Sequence, residues 1–269
     1  MSQGWMHATH RPSGHTVNAN TTHYFDINGQ PLNPSSTEIY SEVRESYAVT
    51  FLYLYLETNT ITANGTFRTR KNQANGACAV SITASTTGTF TDTSNSESLA
   101  SGDQIGYQYV TGTSGTSSQI RKMGAVFTPV SGNNGYGIWC AGCTDAALVL
   151  AADTYVACTG SIESGAATEI NIRRTVRTAV TLSNLLVRVV SNTSTAATVR
   201  ARKNGANGNQ SVSISSGSTG EFEDTSNTDA YSAGDTVDTL IDITSGTSIV
   251  IMNILYKAAG GVVPTTLRL

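Results

Sequence analysis

The sequence predicts an all-β protein of two tandem homologous β-sandwich domains, jelly-roll-like, with extended N- and C-terminal arms. Three observations predict this fold class. An internal repeat covers most of the 269 residues, apolar residues recur with a period of two, and Asn- and Gly-rich turns are frequent. Short strands punctuated this often are typical of sandwiches of the jelly-roll type. No stretch shows the 3.6-residue period of an amphipathic helix.

The internal repeat is carried by turn residues that return in the same order in the second half of the chain. Because its period far exceeds the roughly 20–50 residues of a solenoid unit, the repeat indicates a duplicated domain. The matched segments are 70–76 with 202–208, 92–95 with 224–227, 102–103 with 234–235, 37–39 with 168–170, and 48–50 with 179–181.

The repeat divides the chain into four segments. We predict an N-terminal arm at 1–15, β-sandwich domain 1 at 16–131, β-sandwich domain 2 at 132–259 and a C-terminal tail at 260–269. Extended termini of this kind are suited to binding neighbouring subunits by strand addition.

The residues that recur in both copies are predicted to have structural roles in turns. The Asp of each Asp-Thr-Ser-Asn segment is expected to cap nearby backbone amides as an Asx turn. The recurring arginines are expected to pair with Asp92 and Asp224 or with loop carbonyls, and binding of an anionic glycan or phosphate is the alternative. The recurring residues are Arg70, Asn72, Gly76, Asp92, Gly102 and Asp103, and Arg202, Asn204, Gly208, Asp224, Gly234 and Asp235.

One strand of the first copy carries two tyrosines that alternate with leucines. Aligned on the repeat, residues 52–56 match residues 183–187, so the leucines form the inward face and Tyr53 and Tyr55 point outward. An outward tyrosine pair predicts a surface covered by a partner subunit, a sugar, or the chain's own arm or loop. Together with Trp139, Val262, Val263 and Leu267, these tyrosines are the predicted oligomer or partner interface.

Candidate catalytic and metal-binding residues each have a simpler interpretation. The four histidines, His7, His10, His15 and His23, lie at or before the entry to domain 1, and their spacing matches no zinc pattern. Beyond His23 the duplicated bodies contain no histidine for a Ser-His-Asp site. We therefore predict no catalytic residues, no metal and no cofactor.

Two further patterns resemble catalytic motifs. Trp139-Cys140-Ala141-Gly142-Cys143 resembles a redox motif, but such a motif requires a strand-to-helix junction, so a local disulfide or buried thiols, with Cys78 and Cys158, are expected. Glu221 and Glu223 share a strand face, which is the arrangement of a glycosidase pair and, far more commonly, of a solvated face.

Composition excludes several classes of function. Charged residues make up only 13% of the chain, against roughly 25% in an average domain, and the net charge is -3. This charge balance argues against a protein held to nucleic acid by a basic surface. No apolar run approaches the roughly 18 residues of a membrane helix, and the first residues lack the apolar stretch of a signal peptide. We expect a protein without nucleic-acid or membrane partners.

The motifs R-K-N-G-x-x-G-N at 202–209, T-G-x-F-x-D-T-S-N-T-D at 219–229 and A-G-D-x-V at 233–237 resemble a β-sandwich module of bacteriophage structural proteins. The first copy is similar but has Gln73 in place of the first turn glycine. The resemblance implies a non-enzymatic virion protein, assembled in the host cytoplasm, that acts as a capsid decoration or cement protein or as a head- or tail-associated component.

The expected partners follow from this resemblance. They are further copies of the chain in a symmetric homo-oligomer and other virion proteins, such as a major capsid or tail protein. Two alternatives stay open. One is a double-jelly-roll capsid protein, and the other is a receptor-recognition module of a tail fibre or adhesin. In the latter, Tyr53, Tyr55, Tyr136 and Trp139 would stack on the sugars of a cell-surface glycan.

Overall fold

The computed structural model describes residues 5–27, 38–130, 136–142, 153–158, 160–161 and 166–259, without side-chain detail for 5–13, 136–142, 160–161 and 244–247. The protein is all-β, and the helical content of the described residues is one 3-10 turn, Glu169–Asn171. The chain divides into two compact units, unit 1 (residues 1–134) and unit 2 (residues 135–269).

The described residues of unit 1 form ten strands in two five-stranded sheets. They are β1 (Trp5–Asn18), β2 (Thr22–Phe25), β3 (Ser41–Glu42), β4 (Tyr47–Ile61), β5 (Gly65–Lys71), β6 (Ala74–Ile82), β7 (Gly88–Asp92), β8 (Glu97–Leu99), β9 (Gln104–Val110) and β10 (Gly115–Pro129).

The strand order of unit 1 is that of a jelly roll. One sheet has the order β1-β10-β4-β7 with β8 also on β4, and the other has the order β2-β9-β5-β6 with β3 also on β9. All of these pairings are antiparallel. The chain passes repeatedly between the two sheets, as expected for an eight-stranded double Greek key. Fully buried side chains such as Leu54, Phe67 and Tyr107 form its core.

Unit 2 repeats this arrangement with longer strands. They are β11 (Tyr136–Gly142), β12 (Thr154–Val156), β13 (Gly160–Ser161), β14 (Arg174–Thr175), β15 (Val180–Lys203), β16 (Ala206–Ser215), β17 (Gly220–Tyr231) and β18 (Thr236–Ala259). β15 and β18, at 24 residues each, pair along both of their halves, so the two layers form one curled sheet. Around them, β11 and β17 flank one layer and β12 and β16 flank the other.

The corresponding strands of unit 1 are interrupted at a corner. β15 corresponds to β4 and β5 together, and β18 corresponds to β9 and β10. At the corner in unit 1, Gly112 lies against Ala63, and a Cβ on Gly112 would stand 2.1 Å from the Ala63 carbonyl oxygen. This close approach requires glycine and accompanies the break between β4 and β5.

The alignment of β4 with β15 differs by two residues from the one expected. Leu52 pairs with Asp92 and Leu185 pairs with Asp224, so residues 52–56 correspond to 185–189 rather than to 183–187. A β-bulge at Phe51 and Asn184, both with φ of 51°, precedes this register in each unit. Because the difference is an even number of residues, Tyr53 and Tyr55 still face outward, but their counterparts are Leu186 and Arg188.

The structure describes most of the predicted N-terminal arm but not the predicted C-terminal tail. Within the N-terminal segment 1–15, residues 5–15 belong to β1, which pairs with β10, so these residues form part of the first sheet. The tail 260–269, with Val262, Val263 and Leu267, lies outside the described residues.

Candidate functional site

The recurring arginines hold the turn that follows the middle strand of one sheet. Arg70 binds Glu38 through two nitrogens, with Nε–Oε1 at 3.0 Å and Nη2–Oε2 at 2.9 Å. It also donates to the Gln73 carbonyl and the Asn75 side chain, and its guanidinium lies 5.7 Å from the centre of the Tyr24 ring.

Unit 2 contains the same arrangement. Arg202 binds Glu169 at 2.9 and 3.2 Å, donates to the Gly205 carbonyl at 2.6 Å and stands over the Tyr155 ring at 5.7 Å. The partners are thus glutamates and loop carbonyls, and the expected pairing with Asp92 and Asp224 was wrong because those carboxylates accept backbone amides. The hydrogen bond that Arg202 donates to Glu169, together with the negative charge of Glu169, raises the pKa of Arg202.

A second recurring pair joins this turn to the next strand. Asn72 Nδ2 donates to Asp103 Oδ1 at 2.8 Å, and Asn72 Oδ1 accepts the Gln104 amide at 2.8 Å. Asn204 makes the same bonds to Asp235 and Thr236, each at 2.7 Å. The turn that contains each aspartate, just before β9 or β18, needs a residue that tolerates positive φ. This need explains the glycine that precedes each aspartate. Gly102 has φ 89° and Gly234 has φ 97°.

The Asp-Thr-Ser-Asn segments form Asx turns and also reach the edge strand of the other sheet. Asp92 Oδ1 accepts the amides of Ser94 and Asn95 at 3.0 and 3.1 Å, while Oδ2 accepts the Ala79 amide of β6 at 2.8 Å. Burial opposes ionisation of Asp92, but these bonds and one from the Asn95 side chain outweigh it and lower its pKa.

Asp224 makes the corresponding contacts in unit 2. Its Oδ1 accepts the amides of Ser226 and Asn227 at 3.1 and 3.0 Å, and its Oδ2 accepts the Ser211 amide of β16 at 2.9 Å. Because an edge strand with free amides invites pairing with another chain, these carboxylates protect the edges of β6 and β16.

A further carboxylate at each edge was not predicted from the sequence. Glu97 accepts the Ala77 amide at 2.5 Å, and Asp229 accepts the Asn209 amide at 2.7 Å. Each lies against a recurring glycine. A Cβ on Gly76 would stand 2.7 Å from Glu97 Oε2, and one on Gly208 would stand 2.6 Å from Asp229 Oδ2. Comparing the two copies does not reveal that Glu97 and Asp229 are equivalent, because the residue types differ. Only the glycine that recurs beside them, Gly76 or Gly208, indicates a close contact there.

The predicted interface tyrosines belong to an exposed aromatic row on β4. Phe51 and Tyr55 are 40% and 36% exposed, Tyr53 is half-buried, and the intervening Leu52 and Leu54 are fully buried. We call Phe51, Tyr53 and Tyr55 the aromatic row. Across the sheet, Tyr53 pairs with Thr91 and Gly124, and Tyr55 pairs with Thr89 and Lys122.

Unit 2 has polar or buried residues at the same three positions. Asn184 donates to Glu223 at 3.2 Å, Arg188 pairs with Glu221 at 2.5 Å, and Leu186 is buried. Both glutamates considered as a hydrolytic pair therefore have side-chain partners on β15. The aromatic row is specific to unit 1.

Phe51 adopts a backbone conformation that is unfavourable for a phenylalanine. Its φ of 51° lies in the left-handed region, which costs an L-residue about 1–2 kcal/mol. Asn184, at the same bulge with the same φ, is a residue type that tolerates it. Unit 1 therefore carries an exposed aromatic side chain where a less strained and more soluble alternative exists.

None of the remaining candidate residues belongs to β4. The His15 and His23 rings meet edge to face with centroids 5.8 Å apart, and burial lowers the pKa of His23. His7 and His10 lie in β1, and Tyr136, Trp139 and Cys140 lie in β11, all without described side chains, while Cys143 lies outside the described residues. Within the described part of the chain, no group of three or more His, Cys, Asp or Glu side chains is placed to hold a metal.

The two described thiols are buried. Cys78 and Cys158 are not in disulfides. Burial is the main cause that raises the pKa of Cys78 to about 11 and that of Cys158 to about 12. Among the described residues, no helix has the length and hydropathy of a membrane span.

Comparison with known proteins adds no family. No protein-family model and no curated protein sequence matches the chain. Among solved structures, a Paenibacillus xanthan lyase matches 97% of this chain and 25% of its own, with TM-score 0.26 and 16% identity. An insecticidal delta-endotoxin from Bacillus thuringiensis matches 91% of this chain and 60% of its own, with TM-score 0.26 and 10% identity. The chain thus spans a quarter of the lyase chain and three-fifths of the toxin chain, and likenesses this weak carry no argument.

Proposed function

We propose that this protein is a non-enzymatic structural component of a bacteriophage particle, a capsid decoration or cement protein or a head- or tail-associated component. In this proposal it assembles as a symmetric homo-oligomer. The support is the duplicated jelly roll, a fold used by viral capsid and lectin domains, together with the resemblance of the recurring turn motifs. Fold likeness alone does not define a function. The proposal therefore depends on the surface at which the two duplicated units differ.

The aromatic row carries the proposal. The recurring charged residues Arg70, Asp92 and Asp103, with their counterparts in unit 2, stabilise turns and sheet edges. The three positions of the row differ between the units, and in unit 1 they expose aromatic surface despite the strain at Phe51. Aromatic residues are enriched at protein interfaces, where burial of their large surface stabilises the complex. We therefore assign the subunit contact to the outer face of β4.

The test is the oligomeric state of variants that give unit 1 the residues of unit 2. Light scattering across protein concentration, with electron microscopy of the same samples, should show discrete oligomers or particles for the wild type. Tyr55→Arg and Phe51→Asn should shift the population towards monomer. Val190→Ser removes an equally exposed apolar side chain from unit 2 (40% exposed) and should leave assembly unchanged. A wild-type protein that stays monomeric at every concentration contradicts the homo-oligomer.

A second function, recognition of a glycan, is favoured by one observation. The aromatic row is flanked on β7 by the hydroxyls of Thr89 and Thr91, so apolar ring faces and hydrogen-bonding groups stand side by side. Retention of the protein on a glycan array, lost in Tyr53→Ala and Tyr55→Ala while assembly is unchanged, would favour this function over the subunit contact. Hydrolase turnover that Glu221→Gln abolishes would contradict the non-enzymatic proposal.

A further inference from the structure

Asp238 is a buried acid that the proposed function does not use. It is fully buried, and neither of its carboxyl oxygens accepts a hydrogen bond from a donor group among the described residues, its side-chain neighbour being the Glu169 carboxylate. It lies on β18 opposite Arg202 of β15. Its neighbour Val237 belongs to the core of unit 2, and because side chains alternate along a strand, Asp238 faces away from that core.

The segment 166–176, which we call the strap, lies beside Asp238. Its two ends are fixed by backbone pairs, Ala166 with Tyr155 at 2.8 and 2.9 Å, and the Val176 amide with the Asp235 carbonyl at 2.8 Å. Its middle is the 3-10 turn Glu169–Asn171, which has no buried residue. The carboxylate of Glu169, bound to Arg202 of β15, therefore attaches the middle of the strap to the sheet, and Arg173, within the strap, also pairs with it.

The same place in unit 1 is built differently. The position of Asp238 is taken by Gly106, which lies opposite Arg70. A Cβ on Gly106 would stand 2.7 Å from the carbonyl oxygen of Ile39, so the backbone of residues 38–43 packs directly on the sheet. Ile39 is fully buried there, whereas its counterpart Ile170 is 69% exposed. In unit 2, where Asp238 replaces this glycine, the strap therefore lies further from the sheet than residues 38–43 do in unit 1.

The surroundings of Asp238 favour its neutral form. A buried carboxylate without donors is costly, and such a group keeps its proton instead. Burial is the main cause that raises the pKa of Asp238 to about 7. The negative charge of Glu169 and a hydrogen bond with its carboxylate add to the shift, and Arg173 and Arg202 oppose it. A neutral Asp238 has a proton to donate, and the Glu169 carboxylate is the acceptor beside it. The ionisable groups whose charges act on Asp238 or sense it are Glu169, Arg173, Arg202, Tyr155, Cys158, Tyr231 and Tyr256.

We propose that the strap is a proton-controlled latch. The protonated Asp238 carboxyl donates a hydrogen bond to Glu169 and holds the strap on the sheet, and transfer of that proton to solvent releases it. The closed strap binds one proton more than the open strap between the ordinary pKa of an aspartate and the raised one. Within that window, opening becomes easier as the pH rises, and it becomes independent of pH above it.

Amide hydrogen exchange of the full-length protein tests this latch. The protection factor of peptides covering the strap, corrected for intrinsic exchange, should fall about tenfold per pH unit between pH 5 and pH 7 and level off above, as release of one proton requires. Peptides covering residues 38–44 of unit 1, where Gly106 replaces the acid, are the internal control and should show no such slope.

Two variants make the outcome decisive. Asp238→Asn keeps the shape of the side chain but cannot ionise, and Asp238→Gly reproduces the residue of unit 1. In both, the protection of the strap should be independent of pH from 5 to 7. The latch is overturned if wild-type protection is flat across this range, or if the slope persists in either variant.

Discussion

Asp92 Oδ2 accepts the amide of Ala79 across 2.8 Å, and this bond joins the turn after β7 to the edge strand of the opposite sheet. Asp224 and Ser211 repeat the relationship at 2.9 Å in unit 2. In each unit one carboxylate thus orders a turn, connects the two layers and occupies a donor that would otherwise be open to another strand.

We predict that Asp92→Ala lowers the free energy of unfolding by about 2 kcal/mol, the usual range for loss of hydrogen bonds to a buried charged group. The measurement is urea unfolding followed by circular dichroism. Asp224→Ala should cost a similar amount, because its contacts are the same. Loss below about 0.5 kcal/mol in both variants would show that the turn is stable without its cap.

Acid should destabilise the protein through the same carboxylates. Hydrogen bonds lower the pKa of Asp92, Asp103 and Asp224, and bonds from Asn204 and Ser232 lower that of Asp235 to about 2. Because the folded-state pKa lies below the unfolded value, their contribution is present above pH 4 and is lost as the pH falls through the folded-state pKa.

The melting temperature should therefore fall steeply from pH 4 to pH 2. Asp238 changes its contribution little in that range, since it stays protonated in the folded state and becomes protonated in the unfolded state just below about pH 4. The variant Asp235→Asn should show a shallower fall, and a melting temperature independent of pH over this range would contradict the assignment.

We expect Phe51→Asn to raise the free energy of unfolding by about 1 kcal/mol, because asparagine relieves the strain of the left-handed conformation. The reciprocal change, Asn184→Phe, should destabilise the protein by a similar amount. Thermal unfolding of dilute protein measures both effects apart from assembly. If Phe51→Asn is destabilising, the phenylalanine contributes packing within unit 1 that outweighs its strain.

The thiol of Cys158 should not react with a thiol reagent at pH 8 in the folded protein. The side chain is buried among core residues, and its raised pKa leaves almost no thiolate. A background of Cys140→Ser and Cys143→Ser restricts the measurement to Cys78 and Cys158, and denaturant should expose both. Rapid labelling of Cys158, identified by peptide mapping, without denaturant would show that the core of unit 2 opens readily.

The sequence predicts the fold class and the duplication because short-range chemistry determines both. Turns that need Asn, Asp and Gly recur in fixed order, and alternating leucines mark one face of β4. The register of β4 against β15 was not predictable in the same way. A displacement by two residues preserves every alternation, and the bulge that causes it is filled by Phe51 in one unit and Asn184 in the other.

The candidate surface was predictable only in part. Tyr53 and Tyr55 were recognised from their alternation, whereas Phe51 was not, because its exposure depends on the bulge. Glu97 and Asp229 differ in residue type, as do Gly106 and Asp238. An alignment of the two copies therefore shows neither the edge contact that the first pair has in common nor the different role of the second pair. These features arise from contacts between residues far apart in the chain, which local patterns do not reveal.

The continuity of β15 and β18 has a consequence for the way unit 2 comes apart. Each of these strands belongs to both layers, and they bond to each other along both halves. Neither layer can detach from the other without breaking backbone hydrogen bonds between β15 and β18, which both layers share. Separation of the two layers of unit 2 should therefore be all-or-none, whereas the two discrete sheets of unit 1 are joined through short corners and can loosen one at a time.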